Sequence, residues 1–430
     1  VETPILTKST PEGARDFLVP SRLSPGSFFA LPQSPQLFKQ ILMMAGLDRY
    51  IQITRCFRDE DLRADRQPEF TQVDLELSFA SQEEIIDILE GYAKAVFREA
   101  LGKEPEGPFP RLGYDQAMLR YGTDRPDLRY GLPIADVSDL LSGSEAQVFA
   151  EALKSGGSVR AIRAPGAASL LSRKQLDDLV GFAVGLGAKG LAWIRLSPEG
   201  WQGPLAKFLA PGEREALSSS LGLETGDILF FGADRAPLVA QILGQVRTKL
   251  AEDLSLVGEG LFSFAWVTDF PMFEWSLEDK RWQAVHHPFA APREEDLDFL
   301  ESAPEKVRAL SYDLVLNGNE IGGGSLRIHR PDVQARVFKT LGLGEEEARQ
   351  KFGFFLEALS YGTPPHGGCA FGLDRLVMLL AGEKSIREVI AFPKTQKGAC
   401  PLTEAPGQVD PRQLLELGLR IESKKDNSHG

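Results

Sequence analysis

Much is missing from this sequence, and each absence closes off a class of function. No run of about 18 apolar residues occurs, so nothing reads as a membrane-spanning helix. There is no G-x-x-x-x-G-K-[ST] loop and no G-x-G-x-x-G fingerprint after a strand, so a nucleotide site, if there is one, is expected on an antiparallel sheet. Cysteine is scarce: Cys56, Cys369 and Cys400 stand far apart, without zinc spacing or a disulfide framework, and suit a reducing compartment. Positive charge is in deficit. The net charge of −13 argues against a general polyanion binder, though it leaves room for a local basic patch. Internal repeats and low-complexity tracts are absent. No signal peptide is visible, and the chain opens on Val1 rather than methionine, so it reads as a fragment. What remains is ordinary globular composition over 430 residues, enough for two or three domains.

Charge is concentrated where it is least expected. The stretch CFRDEDLRADRQPEFTQVDLE, residues 56–76, holds ten charged residues between apolar runs. Residues 50–58 and 71–79 both alternate, which predicts an antiparallel hairpin with a polar, proline-containing loop. One face carries Ile51, Ile53, Phe57, Val73, Leu75, Leu77 and Phe79 and is expected to pack on a core. The other presents Arg58, Glu60, Gln72, Asp74 and Glu76 together. Such a face is often simply shown to water, and the arms alone do not decide between that and a site.

Texture divides the chain into three blocks. Residues 1–124 contain a helix over 34–46, with Ser34 as N-cap, Pro35 at N1 and Gly46 as C-cap. The hairpin follows, then a helix opened by the capping-box pattern Ser81-Gln82-Glu83-Glu84. Residues 125–262 are rich in Ala, Gly, Leu and Ser. Strands near 190–196 and 227–231 alternate there with helices over 172–185 and 238–254, as in a separate α+β module. Residues 263–421 return to strands in FAWVTDFPMFEW, SYDLVLNGNEIGGGSLRI and GGCAFG, and to a helix in LDRLVMLLAG. The polar residues 422–430 read as a disordered tail.

The third block holds the sharpest signals. Asn317-Gly318 predicts a two-residue hairpin turn. With that turn, Asp313 and Glu320 lie diagonally on one face, close enough to share a Mg²⁺ ion completed by water and phosphate, or to stand as two solvated acids. Arg327 lies an odd number of positions after Glu320, so a bulge at Gly322-Gly323-Gly324 is expected to aim both into one cavity. Arg375 falls in the first turn of a helix entered at Gly372. A cation is a poor structural choice there and suits a base or a phosphate. Gln36 and Lys39 share a face near a helix N-terminus. His286-His287 lacks a third soft ligand, so hydrogen bonding by one ring is favoured over metal binding.

These motifs together resemble a bacterial-type aspartyl-tRNA synthetase, a class II aminoacyl-tRNA synthetase. FRDEDLRADRQPEFTQVDLE is similar to class II motif 2, GLDRLVML to motif 3, and VETPILTKSTPEGARDF to the end of motif 1 followed by the loop over the aspartate site. QSPQLFKQ, HHPF and NGNEIGGGSLRI match the aspartate enzymes rather than the class at large. The resemblance spans nearly the whole chain. It implies an α+β fold: a class II catalytic domain, an antiparallel sheet flanked by helices, interrupted by a smaller inserted α+β domain over 125–262. The family's N-terminal anticodon-reading OB-fold and most of motif 1 are not seen, which leaves anticodon recognition and dimer stability open.

Carried over by position, the resemblance implies the following site. Arg58 contacts the α-phosphate of ATP and the aspartate carboxylate, and with Glu320 and Arg375 forms the catalytic set. Glu60 and Gln67, beside Asp59, hold adenine; Phe70 stacks on it, and Arg375, with Gly372, Leu373 and Asp374, covers the other side. Asp313 and Glu320 hold Mg²⁺. Lys39 and Arg327 bind the substrate's side-chain carboxylate and His286 closes over it. Ser34, Gln36 and Asp74 receive the α-amino group, and Glu12 sits on the lid loop. The implied activity is ATP-dependent charging of an aspartate-accepting tRNA by a cytoplasmic homodimer, with the asparagine tRNA an open second acceptor. Rival readings are an asparaginyl-tRNA synthetase, an asparagine synthetase of the same fold, or an inactive paralogue binding nucleic acid or a protein. The inserted module and the Lys39/Arg327 pair count against the first two. Loss of Arg58, Glu320, Arg327 or Arg375 would mark the last, and all four are present.

Overall fold

The computed structural model describes residues 1–10, 14–62, 64–258 and 260–422. Contacts divide the chain into two compact units: Val1–Pro105, Pro271–Ser311 and Ile321–Gly430 form one, and Glu106–Phe270 with Tyr312–Glu320 the other. Glu12 and, from residue 423 on, the expected tail over 422–430 lie outside the described residues.

In the first unit, antiparallel strands lie in the order Arg49–Phe57, Glu69–Ser78, His366–Gly372 and the part of Asn319–Leu326 from Ile321 on. The charged hairpin forms as expected, with Ile51 opposite Leu75 and Phe57 opposite Glu69. Helix Gln82–Leu101 covers the apolar face. It starts at the Ser81 capping box, ends on Gly102 at φ +65°, and sets the Tyr92 ring 4.8 Å from Phe371. Helix Gln36–Met44 covers the other face, its Lys39 ammonium bonded to Asp74. Pro35 rather than Ser34 occupies the cap position and Ala45 rather than Gly46 closes the helix, although the Ser34 hydroxyl still accepts the Gln36 N–H at 3.3 Å.

Two expectations fail here. The hairpin's apolar face was expected to be the core face. On the edge strand the reverse holds: Ile51 and Ile53 are 61% and 69% exposed, while Tyr50, Gln52, Thr54 and Cys56 are buried. The buried polar residues have partners, which lowers the desolvation penalty: Gln52 Oε1 accepts from the Tyr50 and Thr3 hydroxyls, and the Cys56 thiol donates to Gln72 Oε1 on the next strand. The second failure is the bulge. Gly322 to Leu326 pair one-to-one with Phe371 to Gly367, and the Arg327 N–H continues the ladder to the His366 carbonyl at 2.9 Å. The glycines serve close packing instead. A Cβ on Gly322 would meet the Phe371 ring at 2.8 Å, and one on Gly368 would meet a Glu76 carboxylate oxygen at 2.1 Å.

In the second unit, strand Ser311–Leu316 pairs antiparallel with Phe264–Thr268, which pairs parallel with Arg111–Gly113. Asn317 at φ +52° and Gly318 at φ +78° make the expected turn into the next strand. A five-stranded sheet ordered Ile134–Asp136, Ser158–Ala164, Ile228–Asp234, Ala192–Ser197 and Gly200–Gln202 carries apolar clusters on both faces. Its helices include Arg173–Gly185 and Ala236–Asp253, close to the expected spans. Buried Arg247 donates to the carbonyls of Asp127, Gly131 and Leu132, between the rings of Tyr121 and Tyr130.

Candidate active site

The inward polar face of the first unit builds a buried ion network. Strand period puts Asp74 and Glu76 on one face, and helix spacing puts Gln36 one turn before Lys39. Lys39 Nζ bonds Asp74 Oδ1 and lies 3.2 Å from Glu76 Oε2. Arg327 grips Glu76 with two arms, Nε at 2.9 Å and Nη2 at 3.1 Å. Its Nη1 reaches Ser325 Oγ at 2.6 Å and His287 Nε2 at 2.8 Å. Two cations thus face two carboxylates, almost without solvent. Burial alone would raise Glu76, but Arg327 and Lys39 outweigh it and hold the carboxyl below its ordinary value. Asp74 is raised, because burial outweighs Lys39. His287 is held well below its ordinary value by burial of the ring and then by Arg327, so it stays neutral. Two buried polar atoms of this group have no hydrogen-bond partner in the protein: Asp74 Oδ2, an acceptor, and Gln36 Nε2, a donor.

The hairpin loop and its neighbours form a second cluster in the same unit. The Arg58 guanidinium lies over the Phe70 ring, 5.2 Å from its centroid. Glu60 pairs with Arg66 at 2.7 Å. The Asp59 N–H donates to the Arg15 carbonyl at 3.1 Å. Gln67 exchanges two hydrogen bonds with the backbone of Lys394, at 3.0 and 2.7 Å. Asp374, in the first turn of helix Leu373–Leu380, accepts the Thr71 N–H at 2.6 Å, and Arg375 lies 3.4 Å from Asp65. Gly372 is the N-cap of that helix, as the sequence predicts. Gln67 and Asp374 therefore hold the loop in place, and Arg58, Phe70 and Arg375 supply cationic and aromatic surface beside it.

Placement of the remaining residues is mixed. Asp313 is buried on strand Ser311–Leu316, and Glu320, half-buried, stands near the start of strand Asn319–Leu326. Among the described residues no three His, Cys, Asp or Glu side chains are grouped to hold a metal ion. A cavity of about 480 Å³ opens beside Ser34, lined by Lys8, Asp16, Phe28, Gln33 and Phe354 among others, and includes none of the ion network.

The resemblance implies His286 over the substrate carboxylate; the histidine that the structure sets against Arg327 is the next one along the chain. It is His287 that touches Arg327, because the backbone turns at this point and the Phe289 N–H caps the ring at Nδ1, 3.2 Å away. Glu76 and Ser325 were missed as site residues. The signal for Glu76 was present, two positions after Asp74 on the same strand face. No local pattern marks Ser325, whose partner is set by tertiary packing. The two cations are also not left waiting for a substrate, since Glu76 and Asp74 already pair with them.

Comparison with known proteins gives a consistent picture. A family model described as "tRNA synthetases class II (D, K and N)" matches residues 1–396. The chain is 58% identical over 427 residues to an aspartate–tRNA(Asp/Asn) ligase of Desulfatibacillum aliphaticivorans, covering 99% of this chain and 71% of the relative. It is 57% identical over 424 residues to the protein of that name from Syntrophomonas wolfei, covering 99% and 72%. An aspartate–tRNA ligase of Geobacillus kaustophilus is 57% identical over 421 residues, covering 98% and 71%.

Proposed function

The chain belongs to the class II tRNA synthetases of the D, K and N group, and from that membership we propose that it activates L-aspartate with ATP and transfers it to the 3′-terminal ribose of tRNA. The observation that carries the aspartate reading is the pair of orphaned atoms in the ion network. A buried carboxylate oxygen on Asp74 and a buried amide NH₂ on Gln36 lack partners. An amino acid brings an ammonium donor for the first and an oxygen acceptor for the second. Lys39 and Arg327, although paired with Asp74 and Glu76, offer charged N–H donors to its side-chain carboxylate.

The reaction needs no side-chain nucleophile. The aspartate α-carboxylate attacks the α-phosphorus of ATP, the bond to the bridging oxygen breaks, and pyrophosphate leaves. The ribose 3′-hydroxyl then attacks the acyl carbon and AMP leaves. Positioning and charge neutralisation suffice for both steps. Arg58 neutralises the α-phosphate, Phe70 faces the base, and Arg375 meets the distal phosphates. Asp313 and Glu320 would supply carboxylate oxygens to a Mg²⁺ ion brought by ATP, which would neutralise phosphate charge. The loop over 62–69 meets the acceptor end of the tRNA.

Three further points belong to this reading. The module over 125–262, which contains the whole five-stranded sheet, is an insertion in the catalytic domain. The exposed Ile51 and Ile53 favour a homodimer, in which a second copy covers apolar surface. Among the described residues no helix is long and apolar enough to cross a membrane, which fits a cytoplasmic enzyme. Relatives named for both acceptors favour charging of the asparagine tRNA as well, tested by offering each tRNA with aspartate.

The first test is pyrophosphate exchange into ATP with Mg²⁺ and no tRNA. Exchange is expected with aspartate and not with asparagine or lysine. Arg327→Leu is expected to abolish it; retained exchange in that variant would refute the assignment.

A further inference from the structure

Arg247, on helix Ala236–Asp253, is buried, and its partners are carbonyls and rings. Nη2 donates to the carbonyls of Asp127 and Gly131, both at 2.6 Å, and Nε to those of Gly131 at 2.9 Å and Leu132 at 3.2 Å. Nη1 donates to the Tyr130 hydroxyl at 3.2 Å, and the guanidinium lies 4.8 and 4.3 Å from the ring centroids of Tyr121 and Tyr130. A buried cation is a costly way to fill space, and an apolar side chain of similar size often stabilises as well. What the planar fork supplies is geometry: several donors of one rigid group fix a single loop, residues 127–132, against the helix. The Asp127 carboxylate stiffens the start of that loop, accepting from the Arg129 backbone N–H at 3.0 Å and from Arg129 Nη2 at 2.6 Å.

The same loop abuts a turn far away in sequence. Asn317-Gly318 joins strand Ser311–Leu316 to strand Asn319–Leu326. At Gly318, φ +78°, a Cβ would meet the Asp127 Cβ at 3.2 Å. Asn317 is bonded to the stretch just before strand Phe264–Thr268. Its backbone N–H donates to the Ser263 carbonyl at 3.1 Å, its Oδ1 accepts the Ser263 N–H at 2.8 Å, and its Nδ2 donates to the Leu261 carbonyl at 3.0 Å. The two ends of the module over 125–262 therefore converge on one two-residue turn. Asp313 lies four positions before that turn and Glu320 two after it.

We infer that Arg247 is a positioning residue: by pinning loop 127–132 it holds the Asn317-Gly318 turn, and with it the spacing of the Asp313 and Glu320 carboxylates. This rests on the reading above, in which those carboxylates serve the nucleotide. The inserted module then bears on the first reaction step, because a displacement of helix Ala236–Asp253 is passed through the loop to the turn.

The test compares hydrogen–deuterium exchange and pyrophosphate exchange in the unmodified chain, Arg247→Lys and Asp127→Ala. Lysine keeps the charge and loses the fork; alanine keeps the Cβ against Gly318 and frees the loop from Arg129. In both variants the amides of residues 313–320 are expected to exchange deuterium at least about fivefold faster, while those of helix Gln82–Leu101 are unchanged. The Mg²⁺ concentration for half-maximal pyrophosphate exchange should rise at least about threefold, and the aspartate KM should stay within about twofold. Faster deuterium exchange confined to residues 121–132 and 236–253, or spread equally over the whole chain, makes Arg247 a stabiliser only and overturns the inference. So does an aspartate KM that rises as much as the Mg²⁺ requirement. Should Arg247→Lys not fold, Asp127→Ala decides by the same readouts. No pyrophosphate exchange by the unmodified chain overturns the aspartate reading, and the deuterium result still decides the clamp.

Discussion

Glu76 shows what a single residue does in a buried charge network. It holds Arg327 with two hydrogen bonds and lies 3.2 Å from Lys39, with no access to solvent. Removing its charge strands a cation in a place that cannot hydrate it. Glu76→Gln is expected to cost about 3–5 kcal/mol in urea denaturation. Glu301→Gln, at the half-exposed pair with Arg336, should cost about 1 kcal/mol or less. The histidines add a pH dependence. His287 and His366 are both lowered, chiefly by burial, so below their ordinary value of 6.5 the unfolded chain takes up protons that the folded chain refuses. Stability is then full above about pH 6.5 and falls as the pH drops below it. The urea midpoint should be lower at about pH 5.5 than at about pH 7.5, and His287→Gln should shrink the difference. A midpoint that rises on acidification would contradict this sign.

Among the elements, the glycines of the central strands set how closely charged side chains can approach the sheet. Gly368 stands opposite Glu76 in the ladder, and the Glu76 carboxylate and the Leu75 carbonyl fill the space a methyl group would need. Gly368→Ala should cost about 3 kcal/mol or more and lower soluble yield, measured by thermal unfolding. The elements themselves were largely legible. Alternation marked both hairpin arms, Ser81 and Glu84 marked a helix start, and Asn317-Gly318 marked a turn, because each signal is local. The buried face of the edge strand was not legible. Ile51 and Ile53 outscore Gln52 and Thr54 on any hydrophobicity argument, and a hydrophobicity count does not see the Tyr50 and Thr3 hydroxyls that satisfy the buried Gln52 amide. The bulge failed for a related reason. Three glycines in a row permit a bend, but the Phe371 ring, far away in sequence, uses the space for flat packing. Motifs marked the candidate site, and its wiring, including the contact of His287 with Arg327, depends on contacts that no spacing encodes.

For the whole molecule, acidity and nucleic-acid binding must coexist. A chain of net charge −13 repels a polyanion except where cations gather. Binding of tRNA should therefore depend steeply on salt, while the aspartate site, buried and internally neutralised, should not. Raising KCl from about 50 to about 200 mM should weaken tRNA charging at least about tenfold through KM, and leave the aspartate KM for pyrophosphate exchange within about twofold. Parallel loss of both would place the phosphate contacts and the aspartate contacts on the same screened surface.

The mutual neutralisation of Lys39, Asp74, Glu76 and Arg327 also bears on how such a sequence drifts over time. None of the four can be exchanged alone without stranding a charge, so a lineage that abandoned the chemistry would still keep them until two changed in the same step. Their persistence in a descendant records the demands of folding as much as those of catalysis. Loss of trade would be read first at Arg58 or Arg375, nearer the solvent, where a lineage is free to forget.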